Sequence, residues 1–183
     1  DADLQGKLSF INCIFENYAN KGHLLDLQYI ISNRNDDAGT LYDGCVFQNQ
    51  QGIAIFAKIF GENNNHTFIN CIIQNNTITD NEDKSCGLEC CQCREAKIAL
   101  SNCSFINNIG YTKGAVCVSS NHLSYVTNVK FINNTAPELN NGSGGGFHFE
   151  GLPSIAKGDI EITDCYFEGN HAGKCGGGFF CKI

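Results

Sequence analysis

Apolar and polar positions alternate in short runs along this chain, and one run returns six times: NCIFEN (Asn12 to Asn17), GCVFQN (Gly44 to Asn49), NCIIQN (Asn70 to Asn75), NCSFIN (Asn102 to Asn107), NVKFIN (Asn128 to Asn133) and DCYFEGN (Asp164 to Asn170). Cys or Val, an aromatic or Ile two residues on, and a closing Asn make a period of two ending in a turn residue, which predicts a short half-buried strand. With Val129 as the fifth of the series, the Cys positions lie 32, 26, 32, 26 and 36 residues apart. Periods of this size belong to stacked units, each too small to bury its own apolar face.

A second motif alternates with the first, a Gly followed three residues later by an apolar or Cys residue: Gly22/Leu25, Gly52/Ile55, Gly87/Cys90, Gly114/Cys117, Gly146/Phe149 and Gly178/Cys181. A third strand is predicted just before the Cys motif, in Lys7 to Phe10, Asn65 to Ile69, Ala96 to Ser101, Tyr125 to Thr127 and Asp159 to Thr163. Three short strands in roughly 30 residues, with no 3.6-residue periodicity, predict an all-β chain folded as a parallel β-helix. About six coils would form a single domain over residues 1–183. A propeller needs about four strands per blade, and a sandwich would not repeat its side chains at equivalent positions. Equivalent residues of successive coils stack about 4.8 Å apart. Phe15, Phe47, Ile73, Phe105, Phe131 and Phe167 are therefore expected to form one internal column. The closing Asn residues are expected at corners, in left-handed backbone conformation, with their amides bonded to backbone and to the Asn above and below.

Gly-rich segments (GAVCV from Gly114, GGGFHF from Gly144, GGGFFC from Gly176) alternate with Phe-x-x-Asn segments (Phe105 to Asn108, Phe131 to Asn134, Phe167 to Asn170). In this pairing the chain resembles the Gly-Gly-Ala/Phe-x-x-Asn repeat of the chlamydial polymorphic outer-membrane proteins, a parallel β-helix family of surface proteins. The likeness is strictest from about residue 98 onward; before that, Phe-x-x-Asn becomes Phe-x-Asn and the Gly pair shrinks to one. The resemblance implies a right-handed β-helix used at a cell surface, often for adhesion. It implies no particular ligand, and the membrane-barrel domain that such proteins use for export is not recognisable here.

Charge and composition narrow the function classes. The net charge is −7 and the twelve basic residues are scattered, so no stripe is available to track phosphates and nucleic acid is not an expected partner. No run is long enough to span a bilayer and no signal-peptide pattern opens the chain, which reads as a mature product or an excised segment. No cofactor motif is recognisable.

Twelve cysteines, an even number, favour an oxidising compartment. Stacked residues have Cα atoms about 4.8 Å apart, inside the disulfide window of roughly 4.4–6.8 Å. Cys13 with Cys45, Cys71 with Cys103, and Cys90 with Cys117 are thus allowed pairs, and Cys175 and Cys181 are further candidates. The alternative for Cys13, Cys45, Cys71, Cys103 and Cys165 is a ladder of free buried thiols acting as small apolar residues. For Cys86, Cys90, Cys91 and Cys93 disulfides are expected. Structural zinc sites come as two short Cys pairs separated by a loop, and strand alternation would throw Cys90 and Cys91 to opposite faces. Five N-x-Ser/Thr sequons, at Asn65, Asn75, Asn102, Asn133 and Asn141, are candidate N-glycosylation sites.

Carbohydrate-processing β-helices need carboxylates clustered on one outer face. Of the acidic groupings Asp36/Asp37, Glu82/Asp83 and Asp159/Glu161/Asp164, only the last sets two side chains two residues apart on one strand. His23, His66, His122, His148 and His171 have no Ser or Cys partner at a recognisable spacing and read as solvated surface, His148 at an outward strand position. The chain is not expected to be an enzyme.

The ends carry the functional expectation. Neither end shows a capping helix, and terminal rungs of a solenoid recruit further strands. Steps from the second motif to the next Cys position are 20, 16, 13, 12 and 16 residues, and crossing from Cys181 to Cys13 of a second copy takes 15. The same count arises if the residues are one segment of a longer tandem array. The expected joint pairs the strand holding Phe179, Phe180, Cys181 and Ile183 in parallel with the one holding His23 and Leu25 in a neighbouring copy. The leading expectation is a structural β-helix, extracellular or at the cell surface, that builds a fibre, stalk or filament with itself as partner. The alternatives are an adhesin passenger domain that binds glycans or other host or matrix ligands, and then a carbohydrate-processing enzyme.

Overall fold

A computed structural model describes residues 7–16, 25–30, 39–60, 65–78, 86–93, 97–120, 124–137, 142–151 and 159–182; the side chains of 7, 25–30, 56–60, 91–93 and 120 lie outside that description. All regular elements among the described residues are strands. Sheet A holds β1 (Lys7–Ile11), β4 (Gly39–Asp43), β7 (Asn65–Ile69), β10 (Lys97–Ser101), β13 (Ser124–Thr127) and β17 (Ile160–Thr163). Sheet B holds β2 (Ile14–Glu16), β5 (Val46–Gln48), β8 (Ile72–Gln74), β11 (Ser104–Ile106), β14 (Lys130–Ile132) and β18 (Tyr166–Glu168). Sheet C holds β3 (Leu25–Ile30), β6 (Ile55–Phe60), β9 (Leu88–Cys93), β12 (Val116–Ser120), β16 (Phe147–Gly151) and β20 (Phe179–Lys182). Each sheet is six strands deep, and its neighbours are the same element of successive coils. The chain is a parallel β-solenoid. A fourth line of pairing joins Gln51, Thr77, Ile109, Thr135 and His171; its last two belong to β15 (Thr135–Ala136) and β19 (His171–Ala172).

The corners follow from the Asn residues. Asn12, Gly44, Asn70, Asn102, Asn128 and Asp164 turn the chain from sheet A to sheet B, all with φ between 52° and 63°. Asn49, Asn75, Asn107, Asn133 and Gly169 do the same where sheet B ends, with φ between 54° and 60°. Asn and Gly are the residues that tolerate this conformation. The two glycines have a second reason: a Cβ on Gly44 or Gly169 would collide with the amide oxygen of Asn12 or Asn133 on the preceding coil.

The expected internal column is present: Phe15, Phe47, Ile73, Phe105, Phe131 and Phe167 occupy one register position in sheet B. Phe15 and Phe47 stack at 4.6 Å, and Phe131 and Phe167 at 4.8 Å. Sheet A adds Phe10, Tyr42, Phe68, Leu100, Val126 and Ile162. These side chains, with sheet C, form one core.

Sheet C corrects the register of the second motif. Leu25, Ile55, Leu88, Val116, Phe147 and Phe179 share a column, whereas Cys90, Phe149 and Cys181 lie two residues further on, opposite Val118 of β12. In the later coils pairing already runs through the Gly itself, as where Gly87 N donates to Ala115 O at 3.0 Å and Gly146 N to Gly178 O at 3.1 Å. The first inward residue then follows that glycine directly, instead of three residues later as at Gly52/Ile55. A slip of two keeps the same face inward, so alternation could not reveal it. Cys117 is displaced by one and points to the opposite face, stacked between Glu89 and His148.

That outward face is covered rather than solvated. Glu89, Cys117 and His148 are all buried. Gly144 packs so closely that a Cβ there would meet the Cβ of His148. His66 is also buried, facing inward between Thr40 and Ile98, so the surface reading is corrected for His66 and His148; His171 is exposed, and His23 and His122 lie outside the described residues. A satellite cluster of Ile53, Ile78, Cys86 and Tyr111 sits apart from the main core.

Candidate functional site

At one end of the solenoid β1, β2 and β3 are edge strands, and at the other β17, β18 and β20 are. The internal columns reach both ends with half-buried apolar side chains: Phe10, Cys13 and Phe15 at the first, and Ile160, Ile162, Cys165, Phe167 and Phe179 at the second. Leu8, Ile11 and Ile14 at the first end and Tyr166 at the second are exposed. Among the described residues nothing covers these two faces. Of the self-assembly candidates, Phe179, Phe180 and Cys181 lie in β20 and Leu25 in β3, in the column that ends at Phe179; His23 and Ile183 lie outside the described residues.

The first corner ladder has a direction. Asn102 Nδ2 donates to Asn70 Oδ1 at 3.4 Å, and Asn128 Nδ2 to Asn102 Oδ1 at 2.7 Å, so each coil donates to the one before it. Asn12 begins this ladder and Asp164 ends it. A carboxylate in the last position can only accept.

Sheet B also carries an outward column of Glu16, Gln48, Gln74, Ile106, Ile132 and Glu168. Gln48 Nε2 donates to Glu16 Oε1 at 3.2 Å and Asn49 Nδ2 donates to the same oxygen at 2.9 Å. At the far end Tyr166 Oη donates to Glu168 Oε2 at 3.0 Å, and this carboxylate pushes the phenol's pKa up.

The cysteines are mostly packing residues. Cys13, Cys45, Cys71, Cys86, Cys103, Cys117, Cys165, Cys175 and Cys181 are free thiols: this corrects the disulfide expectation for Cys86 and the candidates Cys117, Cys175 and Cys181, and for Cys13, Cys45, Cys71, Cys103 and Cys165 it is the free-thiol alternative that is seen. In the corner column each thiol has the same alternative partners. Cys45 Sγ donates to Phe10 O at 3.3 Å, Cys71 Sγ to Tyr42 O at 3.5 Å, Cys103 Sγ to Phe68 O at 3.5 Å and Cys165 Sγ to Val126 O at 3.3 Å. Cys117 cannot reach Cys90, because the two face opposite sides of sheet C. Burial pushes up the Cys45, Cys86 and Cys165 thiols; at Cys71 contact with the Cys103 thiol does so first and burial second. Cys90 is disulfide-bonded, and the side chains of Cys91 and Cys93 lie outside the description. Cys175 and Cys181 are exposed.

The sequon residues Asn65, Asn75, Asn102 and Asn133 are all exposed, and Asn141 lies outside the described residues. Asn75, Asn102 and Asn133 are corner residues flanking sheet B on middle coils. Among the described residues no group of three or more His, Cys, Asp or Glu is placed to hold a metal ion, and no helix is long and apolar enough to cross a membrane.

Spacing gave no hint of one pairing. Ser143 Oγ lies 3.1 Å from His148 Nδ1. The amides next to this pair, Gly144, Gly145 and Gly146, donate to carbonyls of the next coil. They therefore offer no oxyanion pocket there. The Phe-x-x-Asn spacing marked three positions of a second feature but not its burial: Asn76, Asn108 and Asn134, buried, and Asn170, half-buried, form a ladder, each the third residue after the column Ile or Phe.

No family model, curated protein or solved structure matches this chain. The resemblance to the polymorphic outer-membrane repeat therefore rests on the residues that carry it.

Proposed function

We propose that this protein is a structural β-solenoid of the cell surface or extracellular space that extends end to end, the last coil of one copy stacking on the first coil of the next to build a fibre, stalk or filament. The observation that carries this reading is the column-by-column match of the two end faces. Continuing the internal register by one step sets Ile160 on Leu8, Ile162 on Phe10, Cys165 on Cys13, Phe167 on Phe15 and Phe179 on Leu25 of the next copy. Every one of these contacts is apolar on apolar, and edge strands supply the backbone pairing.

The corner ladder supports the same polarity. Asn12 of the incoming copy falls on Asp164, where its Nδ2 donates to a carboxylate, a stronger bond than the amide pairs inside the chain. The joint is heterologous and does not close, which yields filaments rather than rings. Exposed sequons on middle coils leave both end faces clear and support a secreted setting; the cysteine count adds little, since the corner thiols are accounted for by core packing.

Sedimentation and electron microscopy of the purified chain test the reading. Wild-type protein is expected to form long particles whose length grows with concentration. Phe15→Asp places a charge on one end face and is expected to leave monomers with an otherwise intact fold. A wild-type chain that stays monomeric at high concentration would transfer the case to the adhesin reading, in which side-facing loops bind surface ligands.

A further inference from the structure

We propose that Asn75 and Asn133, on one rim of sheet B, are attachment sites for N-linked sugar chains, and that Asn102, on the opposite rim, is a sequon the fold keeps bare. This rests on the secreted setting of the reading above and not on its end-to-end joint.

The three sequons are alike in sequence and differ in what their corner amides do. Asn102 stands where sheet B begins, Asn75 and Asn133 where it ends, all three exposed and in left-handed conformation. Asn102 is held from both sides. Its Nδ2 donates to Asn70 Oδ1 at 3.4 Å, and its Oδ1 accepts Asn128 Nδ2 at 2.7 Å. A sugar on that nitrogen would have to fit between two bonded amides, each one coil step of about 4.8 Å away.

The other rim alternates. Asn107, which opens no sequon, donates its Nδ2 to Asn75 Oδ1 at 3.3 Å, away from Asn133. Among the described residues Asn75 Nδ2 and Asn133 Nδ2 donate no hydrogen bond. On the coil before Asn75, the Asn49 amide is turned to Glu16 Oε1 at 2.9 Å. On the coil after Asn133 comes Gly169, which has no side chain to clamp the amide. The two nitrogens are two coil steps apart, about 10 Å, which leaves room for two sugar chains side by side. The sequon hydroxyls belong to Thr77 and Thr135, both half-buried in the fourth line of pairing.

The donor is an oligosaccharide carried on a polyprenyl diphosphate, brought by a transferase that reads the sequon hydroxyl. Asn Nδ2 attacks the anomeric carbon: the N–C bond forms and the C–O bond to phosphate breaks. The diphosphate leaves with that electron pair, and one amide proton passes to a base of the transferase. The coil then has to close around the product. At Asn75 and Asn133 no corner bond stands in the way; at Asn102 the ladder does.

Site-by-site occupancy in the native full chain is the test. Glycosidase release in heavy-oxygen water converts each modified Asn to a labelled Asp, read by peptide mass spectrometry. Sugar is expected at Asn75 and Asn133 and not at Asn102. In the secreted chain, Thr77→Val and Thr135→Val should each lose the mass of one sugar chain, while Ser104→Ala should lose none. If Asn75 and Asn133 are bare in the native protein, the assignment is overturned, and filaments formed by that protein would leave the end-to-end reading standing. If Asn102 is occupied as fully as the other two, or Ser104→Ala loses a sugar chain, the corner ladder does not discriminate and the assignment is equally overturned. A protein that carries both sugar chains yet stays monomeric supports the assignment and removes the end-to-end reading.

Discussion

Asn108 and Asn134 are fully buried on adjacent coils, with Asn108 Nδ2 3.0 Å from Asn134 Oδ1. The same oxygen accepts the backbone N–H of Asn108 at 3.0 Å, and Asn108 Nδ2 also donates to Ile73 O at 2.9 Å. With the N–H and Nδ2 of Asn76 donating to its Oδ1, the Asn108 amide serves four groups, and the pattern recurs along the ladder from Asn76 to Asn170. The residue just before it, Asn107, is exposed and holds a left-handed corner. Two consecutive asparagines do unrelated work.

Replacing Asn108 by Ala removes the acceptor used by both the N–H and the Nδ2 of Asn76. With buried unsatisfied groups at about 1–3 kcal/mol each, a loss of at least about 3 kcal/mol is expected in urea unfolding. Asn107→Gly keeps the corner conformation and should stay within about 0.5 kcal/mol of wild type, whereas Asn107→Ala should cost about 1 kcal/mol. Equal losses at positions 107 and 108 would contradict this division.

Phe105 is fully buried and stacks on Phe131 at 5.2 Å. A solenoid coil pinned above and below by backbone pairing has little freedom to collapse into a gap. Phe105→Ala should cost about 3–5 kcal/mol by chemical denaturation; a loss below about 1 kcal/mol would mean the column is not the core.

His66 has its pKa lowered to about 4 by burial. The folded state holds this ring neutral, while the unfolded chain takes up a proton near 6.5. Its contribution is therefore fully present above about pH 6.5 and is lost as pH falls from there toward 4, by about 3 kcal/mol in all. His66→Leu should remove that part of the acid sensitivity, read as the difference between wild-type and variant stabilities at pH 7 and pH 4.5. Parallel curves for the two proteins would refute the burial of this ring.

The thiols give a kinetic readout. Cys175 and Cys181 are exposed and should be alkylated quickly in the native protein, whereas Cys45, Cys71, Cys86, Cys103 and Cys117 should react only on unfolding. Mass spectrometry of native protein pulse-labelled with iodoacetamide checks this site by site. Rapid labelling of Cys71 or Cys103 would place the corner column in solvent.

The alternation and its period were enough to yield the solenoid, the Phe15-to-Phe167 column and the left-handed corner asparagines, because each of these depends on residues adjacent in sequence. The register of sheet C was not legible. A slip of two residues, such as the one separating Cys90 from the Leu25 column, preserves every inward and outward assignment, and only the pairing of neighbouring coils decides it. The same pairing turned Cys117 away from Cys90 and kept the Cys45, Cys71 and Cys103 thiols bonded to carbonyls, although stacking alone made disulfides geometrically possible. Burial of His148 and Glu89 was hidden for a different reason: both are outward residues by alternation, yet both are buried, His148 with Gly144 of its own turn packed against it. What the sequence determined by itself is local and periodic, the strand, the turn and the repeat. The tertiary structure decided which coil meets which and in what register, because that depends on the relative position of residues some thirty apart, and no single period of the chain contains that information.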